Sequence, residues 1–200
     1  MPAPRYRETE IKLALADAAI GRKLLKAAGF ACTRKRALES NVLLDTSDGR
    51  LRRDGRLIRL RWTAGACLLT YKGPPKSGRH KSRQEIEVDV GDGKAMQVIL
   101  EQLGFLPSYR YEKYRSEYRR SSEAGVATLD ETPVGVFFEL EGSPSWIDKA
   151  AKSLGFRRSD YITKSYATLW GEQCEEAGKL TGKGMAFPPS HTSSTLSKNT

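Results

Sequence analysis

Apolar and polar residues alternate with a period of two over most of this chain, and a period near 3.6 replaces it in only a few places. The period-two segments predict strands at Tyr6–Leu13, Thr33–Asp45, Arg56–Thr63, Ala66–Lys72, Ser82–Val90, Ser108–Ser121, Val126–Glu131 and Val134–Glu141. Three segments predict helices. Asp17–Ala28 carries Ile20, Leu24 and Ala28 on one face, Gly93–Leu103 carries Ala95, Ile99 and Leu103, and Pro144–Leu154 is opened by the cap pair Ser143-Pro144. All three run into Gly-Phe: Gly29-Phe30, Gly104-Phe105 and Gly155-Phe156. Glycine accepts the left-handed conformation that stops a helix, and the Phe packs back on the last turn. Asp54-Gly55 predicts a tight hairpin turn after Leu51-Arg52-Arg53. Gly73-Pro74-Pro75 ends a strand and opens a basic loop through Lys81. Apolar periodicity fades after Trp170, and Pro188–Thr200 is rich in Ser, Thr and Pro. One domain is therefore expected over residues 1–171, followed by a flexible tail over 172–200.

The polar half of the alternation is charged on several strands. The rows are Glu8/Glu10/Lys12, Arg59/Arg61, Arg83/Glu85/Glu87, Lys113/Arg115/Glu117 and Glu139/Glu141, and the residues between them include Ile11, Leu60, Ile86, Val88, Phe138 and Leu140. The amphipathic helices also need apolar partners. The economical arrangement places the helices outside, against the apolar face, and turns the charged face inward. An α+β fold with a curled or closed antiparallel sheet follows. Its interior must be hydrated or filled by ligand, because unpaired charges in a dry core cost several kcal/mol each.

Residue type then suggests the ligand. Carboxylates prefer hard ions such as Mg²⁺ or Mn²⁺. Arginines grip phosphate oxygens bidentately, and lysines act as point charges. An acidic pocket alone would repel phosphate, and a basic one alone would not hold the ion. The formal charge of +10 suits nucleic acid or a small phosphorylated ligand. Tyr109, Tyr111, Tyr114 and Tyr118 are interleaved with Lys and Arg, but Tyr114 and Tyr118 share the face opposite Lys113 and Arg115 and suit packing, which argues against RNA as the partner. Cys32, Cys67 and Cys174 are odd in number and far apart, so no disulfide framework is indicated and a cytoplasmic setting is expected. Only His80 and His191 could serve a histidine-ligated zinc or a catalytic triad, too few for either. No apolar run is long enough for a membrane helix, and Met1-Pro2-Ala3-Pro4-Arg5 lacks a signal-peptide core.

The ordered series of motifs resembles the CYTH superfamily, the triphosphate tunnel metalloenzymes. The series is Glu8-x-Glu10-x-Lys12, Leu57-Ile58-Arg59-Leu60-Arg61, Leu69-Thr70-Tyr71-Lys72-Gly73-Pro74, Arg83-x-Glu85-x-Glu87, Glu112-Lys113-Tyr114-Arg115, Asp130-Glu131-x-Pro133-x-Gly135, Glu139-Leu140-Glu141-Gly142 and Lys164-Ser165-Tyr166. The resemblance spans Arg5 to Trp170. It implies an eight-stranded antiparallel tunnel that binds a triphosphate-containing small molecule. By similarity, Glu8, Glu10, Glu139 and Glu141 would hold Mg²⁺ or Mn²⁺ with Asp130 nearby. Lys12, Arg59, Arg61, Lys72, Lys113, Arg115 and Lys164 would contact phosphate, and Glu85 and Glu87 would complete the metal or water environment as catalytic groups. The resemblance alone selects Lys72, Asp130 and Lys164. It implies hydrolysis of tripolyphosphate, a nucleoside triphosphate or thiamine triphosphate, or else class IV adenylyl cyclase chemistry. Pro4-Arg5-Tyr6-Arg7 lacks the His-Phe pair associated with the cyclase branch. A polyphosphate- or RNA-binding module without turnover is the reading from another class.

Overall fold

The structure is a computed structural model that describes residues 7–76, 78–180, 182 and 184–188. Its strands are β1 (Arg7–Leu15), β2 (Ala31–Asp45), β3 (Leu57–Thr63), β4 (Ala66–Lys72), β5 (Lys81–Val90), β6 (Leu106–Arg119), β7 (Val126–Thr132), β8 (Gly135–Glu141) and the short β9 (Gly184–Met185). The first eight pair in the order β2-β3-β4-β5-β1-β8-β7-β6, and β2 pairs with β6 to close the ring. Every pairing in the ring is antiparallel. The expected α+β tunnel is what forms. Closure leaves no bare sheet edge on the ring. β9 adds in parallel to β6 at Arg110–Tyr111, beyond the stretch that β7 covers.

Helices α1 (Ala18–Ala27) and α4 (Pro144–Ser153) lie against β1, β7 and β8. Their buried Leu25, Ile147 and Ala151 join Ile11, Leu13, Leu129, Phe138 and Leu140 in one apolar cluster. α3 (Gly93–Gln102) sends Leu100 into a second cluster with Val42, Leu44, Leu60 and Cys67. These strand residues alternate with the charged ones, so each helix covers the apolar face and the charges are left facing in. The Gly-Phe stops behave as expected. Gly29, Gly104 and Gly155 have φ of +79, +88 and +89°, and the Phe30, Phe105 and Phe156 amides donate back to Leu25, Leu100 and Ala151.

Two expectations are corrected. Asp54-Gly55 does not turn a hairpin. Arg50–Arg53 forms a one-turn helix, α2, with Asp54 as its C-cap and Gly55 left-handed at φ +68°. Asp45 drives this, because its carboxylate accepts from the Leu51 and Arg52 amides at 2.8 and 3.0 Å and fixes the helix start to the end of β2. Structure also continues past the expected boundary at 171. Helix α5 (Tyr166–Glu176) buries Cys174, and Met185 of β9 is fully buried in a cluster with Phe137 and Tyr166. Short, irregular apolar spacing hid both. Tyr6 and the tail stretch 189–200 lie outside the described residues. Cys32, Cys67 and Cys174 are free, and no helix among the described residues is long and apolar enough to cross a membrane.

Candidate active site

The ring encloses a cavity of ≈ 320 Å³. Strand alternation decides what lines it: Glu8, Glu10 and Lys12 from β1, Arg59 and Arg61 from β3, Lys72 from β4, Arg83, Glu85 and Glu87 from β5, Lys113 and Arg115 from β6, and Glu139 and Glu141 from β8. Register brings rows from distant parts of the sequence side by side. Glu10 stands opposite Glu141, Lys12 opposite Glu139, Lys72 opposite Glu85, and Thr70 opposite Glu87.

The charges form two linked networks. On one side, Lys72 Nζ donates to Glu8 Oε1 at 2.6 Å and lies 2.9 Å from Glu85 Oε1, while Arg83 Nε reaches Glu8 Oε2 at 3.4 Å. Arg61 and Arg59 donate to Glu87 Oε1 at 2.8 and 3.3 Å, and Thr70 donates to the same oxygen at 2.7 Å. On the other side, Lys12 Nζ lies 2.9 Å from Glu139 Oε1 and 3.5 Å from Glu10 Oε1. Arg115 grips Asp130 with Nε and Nη2 at 2.7 and 2.6 Å, and it also donates to Glu139.

Electrostatics follow from these contacts. Burial opposes the charge on Glu10, but Lys12 and Lys81 outweigh it and hold the carboxyl below its ordinary range. Burial likewise opposes Glu139, and Lys12, Arg115 and Lys113 hold it well below. Glu85 moves up, chiefly through burial, with Lys72 opposing and Glu8 adding repulsion. Glu141 behaves differently. Its carboxylate makes no hydrogen bond or ion pair among the described residues, and burial together with Glu8 and Glu85 pushes it up to about 7 against the pull of Lys72. The residue as a whole is open to solvent, so water screens part of that repulsion.

The donor set fits a hard divalent cation in kind. Glu8, Glu10, Glu139 and Glu141 offer only oxygen, and unrelieved repulsion at Glu141 is what a cation would remove. Among the described residues no three such groups already converge tightly enough to hold an ion, and lysine ammonium groups pair with Glu8, Glu10 and Glu139.

Two residues selected by resemblance are placed elsewhere. Asp130 is fully buried and does not line the cavity, since Arg115, Lys113 and the Tyr166 hydroxyl occupy its oxygens. It supports the cationic row rather than facing an ion. Lys164 is exposed outside the cavity and pairs with Glu172 at 2.8 Å. The cause is local: Ser165 caps α5, so the chain turns there and Tyr166, not Lys164, enters the tunnel.

Sequence reasoning also missed residues that the tunnel holds. Lys81 lines the cavity two positions from a row already noted, so extending the alternation would have found it, and Tyr111, which the alternation puts on the face of Lys113 and Arg115, lines it without having been given a role. Glu39 and Asn41 are buried on β2. Lys113, Arg115 and Arg61 overcome burial and hold Glu39 at about 2. Neither amide atom of Asn41 has a hydrogen-bond partner among the described residues. Tyr109, Tyr111 and Tyr114 are half-buried and Tyr118 is buried in the apolar cluster, so none offers an exposed stacking platform.

Comparison with known proteins agrees with this geometry. A protein of Methanocaldococcus jannaschii named "putative adenylate cyclase" is 31% identical over 175 residues, covering 82% of this chain and 98% of its own. A putative adenylate cyclase structure from Vibrio parahaemolyticus superposes with a TM-score of 0.70 at 20% identity, covering 81% of this chain and 96% of its own. A Hippeastrum protein, described as a putative adenylyl cyclase that reveals a dominant triphosphatase activity, superposes with a TM-score of 0.60 at 22% identity over 86% of this chain and 97% of its own. The CYTH domain pattern matches residues 6–166. With the tunnel, its charged lining and these relatives in agreement, the chain belongs to the CYTH domain family.

Proposed function

We propose that this chain is a Mg²⁺- or Mn²⁺-dependent triphosphatase that hydrolyses a triphosphate-containing small molecule. The observation that carries the reading is the convergence of Arg59, Arg61, Lys72, Lys113 and Arg115 on the same cavity as Glu8, Glu10, Glu139 and Glu141. When bound by those four carboxylates, the metal would polarise phosphoryl oxygens and spread the charge of the transition state. The arginines and lysines hold the phosphate chain in line, and their carboxylate partners keep them oriented before it arrives. Glu85 is the better base for the attacking water. Burial leaves it readier than Glu87 to accept a proton, whereas Arg61, Arg59 and Thr70 all occupy one Glu87 oxygen. Glu87 then serves to position the two arginines.

The test incubates the full chain with Mg²⁺ or Mn²⁺ and, separately, tripolyphosphate, ATP and thiamine triphosphate. Orthophosphate release supports the proposal. The M. jannaschii relative favours a second reading, adenylyl cyclase, which requires cyclic AMP and pyrophosphate from ATP. Absence of turnover on every substrate would favour a binding module.

Glu141 makes the pH dependence testable. A protonated carboxyl is a poor ligand, so metal-dependent activity is expected to rise as pH increases through about 7, and Glu141→Gln should lose that limb. In the metal-free protein the same shift acts on stability. Between the ordinary value of 4.5 and about 7 the folded state keeps a proton that the unfolded chain has released. Glu141 therefore makes stability fall with rising pH across that window, and urea titrations of wild type and Glu141→Gln would separate its share. Identical slopes for the two proteins would contradict the assignment.

A further inference from the structure

Lys81 opens β5 at the tunnel mouth, and its Nζ lies 2.9 Å from Glu10 Oε1 with the side chain 12% exposed. Glu10 is the only ion-pair partner of Lys81 among the described residues. Lys12, the other ammonium near Glu10, is anchored instead by Glu139 at the shorter distance of 2.9 Å, against 3.5 Å to Glu10. Lys81 is therefore the cation that can leave Glu10 without abandoning a second carboxylate.

The preceding residue faces the other way. His80 Nε2 lies 2.9 Å from Asp148 Oδ1 on α4, with the imidazole 8% exposed and its ring 5.8 Å from that of Tyr161. Tyr161 donates to the same Asp148 oxygen at 3.1 Å, Arg158 donates to the other at 2.9 Å, and Arg79 approaches it at 3.7 Å. This contact outside the tunnel fixes the backbone from which the Lys81 side chain reaches in.

We propose that Lys81 is the built-in counter-ion of the metal-free tunnel: its ammonium occupies Glu10 until a divalent cation displaces it, and it then turns to the triphosphate. The His80–Asp148 contact sets the anchor point for that exchange. The inference rests on the metal-dependent reading above. Its consequence is that the empty tunnel binds metal weakly because an internal cation competes for the same oxygen, whereas a triphosphate gives the displaced ammonium a new partner. Metal and triphosphate are coupled through this one side chain.

Calorimetric titration of the full chain with Mn²⁺ alone tests the exchange. Lys81→Met is expected to tighten Mn²⁺ binding about tenfold, within the usual range of such couplings. Lys81→Arg keeps the competing cation and should stay near wild type, which also guards against a folding artefact. His80→Ala alters no tunnel charge and should tighten binding about twofold by loosening the anchor, a small share of the same coupling. Unchanged or weaker Mn²⁺ binding by Lys81→Met, with wild type binding normally, overturns the role of Lys81. An unchanged His80→Ala overturns the anchor. If no protein binds Mn²⁺ even with tripolyphosphate present, the metal-dependent reading itself fails, and the exchange with it.

Discussion

Glu10→Gln is expected to lower metal-dependent phosphate release by at least ~10²-fold while the protein stays folded. The substitution is nearly isosteric, so the packing of β1 is unchanged and what is lost is one negative charge. That charge is favoured against burial by Lys12 and Lys81, which hold the carboxyl below its ordinary range and leave its oxygens facing the cavity. The neutral amide keeps an oxygen but loses the attraction for a divalent cation. The effect should fall mainly on kcat, with part of it recovered at higher Mn²⁺. Wild-type turnover from the purified variant would show that Glu10 is merely an internal ion-pair partner. Tighter binding of tripolyphosphate without any loss of turnover would point the same way, because it would mean that Glu10 acts on the anion by repulsion alone.

Asp130→Ala is expected to cost about 3–5 kcal/mol of folding stability, the range for removing one partner of a buried ionic cluster. Asp130 is 0% exposed and takes two hydrogen bonds from Arg115, one from Lys113 and one from Tyr166. Removing it leaves both cations short of a counter-charge, although Glu139 and Glu39 remain near them. Asp130→Asn retains acceptors but not charge and should fall between the two. Urea unfolding checks both variants. A loss below about 1 kcal/mol for Asp130→Ala, the level of a solvent-exposed pair, would mean that the surrounding carboxylates already compensate the row.

The fold was largely legible because one simple regularity, period two with apolar residues on one side, runs through the ring strands, and five of them carry rows of charge on the other side. Three helices with apolar faces then left few choices for which side faced in. The Gly-Phe stops were readable for the same local reason. Asp54-Gly55 misled because its turn is imposed from a distance, by the Asp45 carboxylate holding the Leu51 and Arg52 amides. Lys164 misled because a motif position does not fix side-chain direction, and the Ser165 cap turns the chain one residue later. Asp130 lies on a tunnel strand, yet whether such a residue meets the cavity or sits behind it depends on partners such as Tyr166, 36 residues away. Glu39 and Asn41 stayed hidden because Ala37, Asn41 and Leu43 separate the charged side chains of their row, so no two stand at i and i+2.

The most direct test is crystallographic, with the full chain soaked in Mn²⁺ and a non-hydrolysable tripolyphosphate analogue and mapped by anomalous scattering. The account expects manganese inside the ring, bound by oxygens from Glu10 and the β8 pair Glu139 and Glu141, with the phosphates against Arg59, Arg61 and Lys113. Manganese confined to outer-surface carboxylates, with the tunnel holding neither ion nor phosphate, would contradict it.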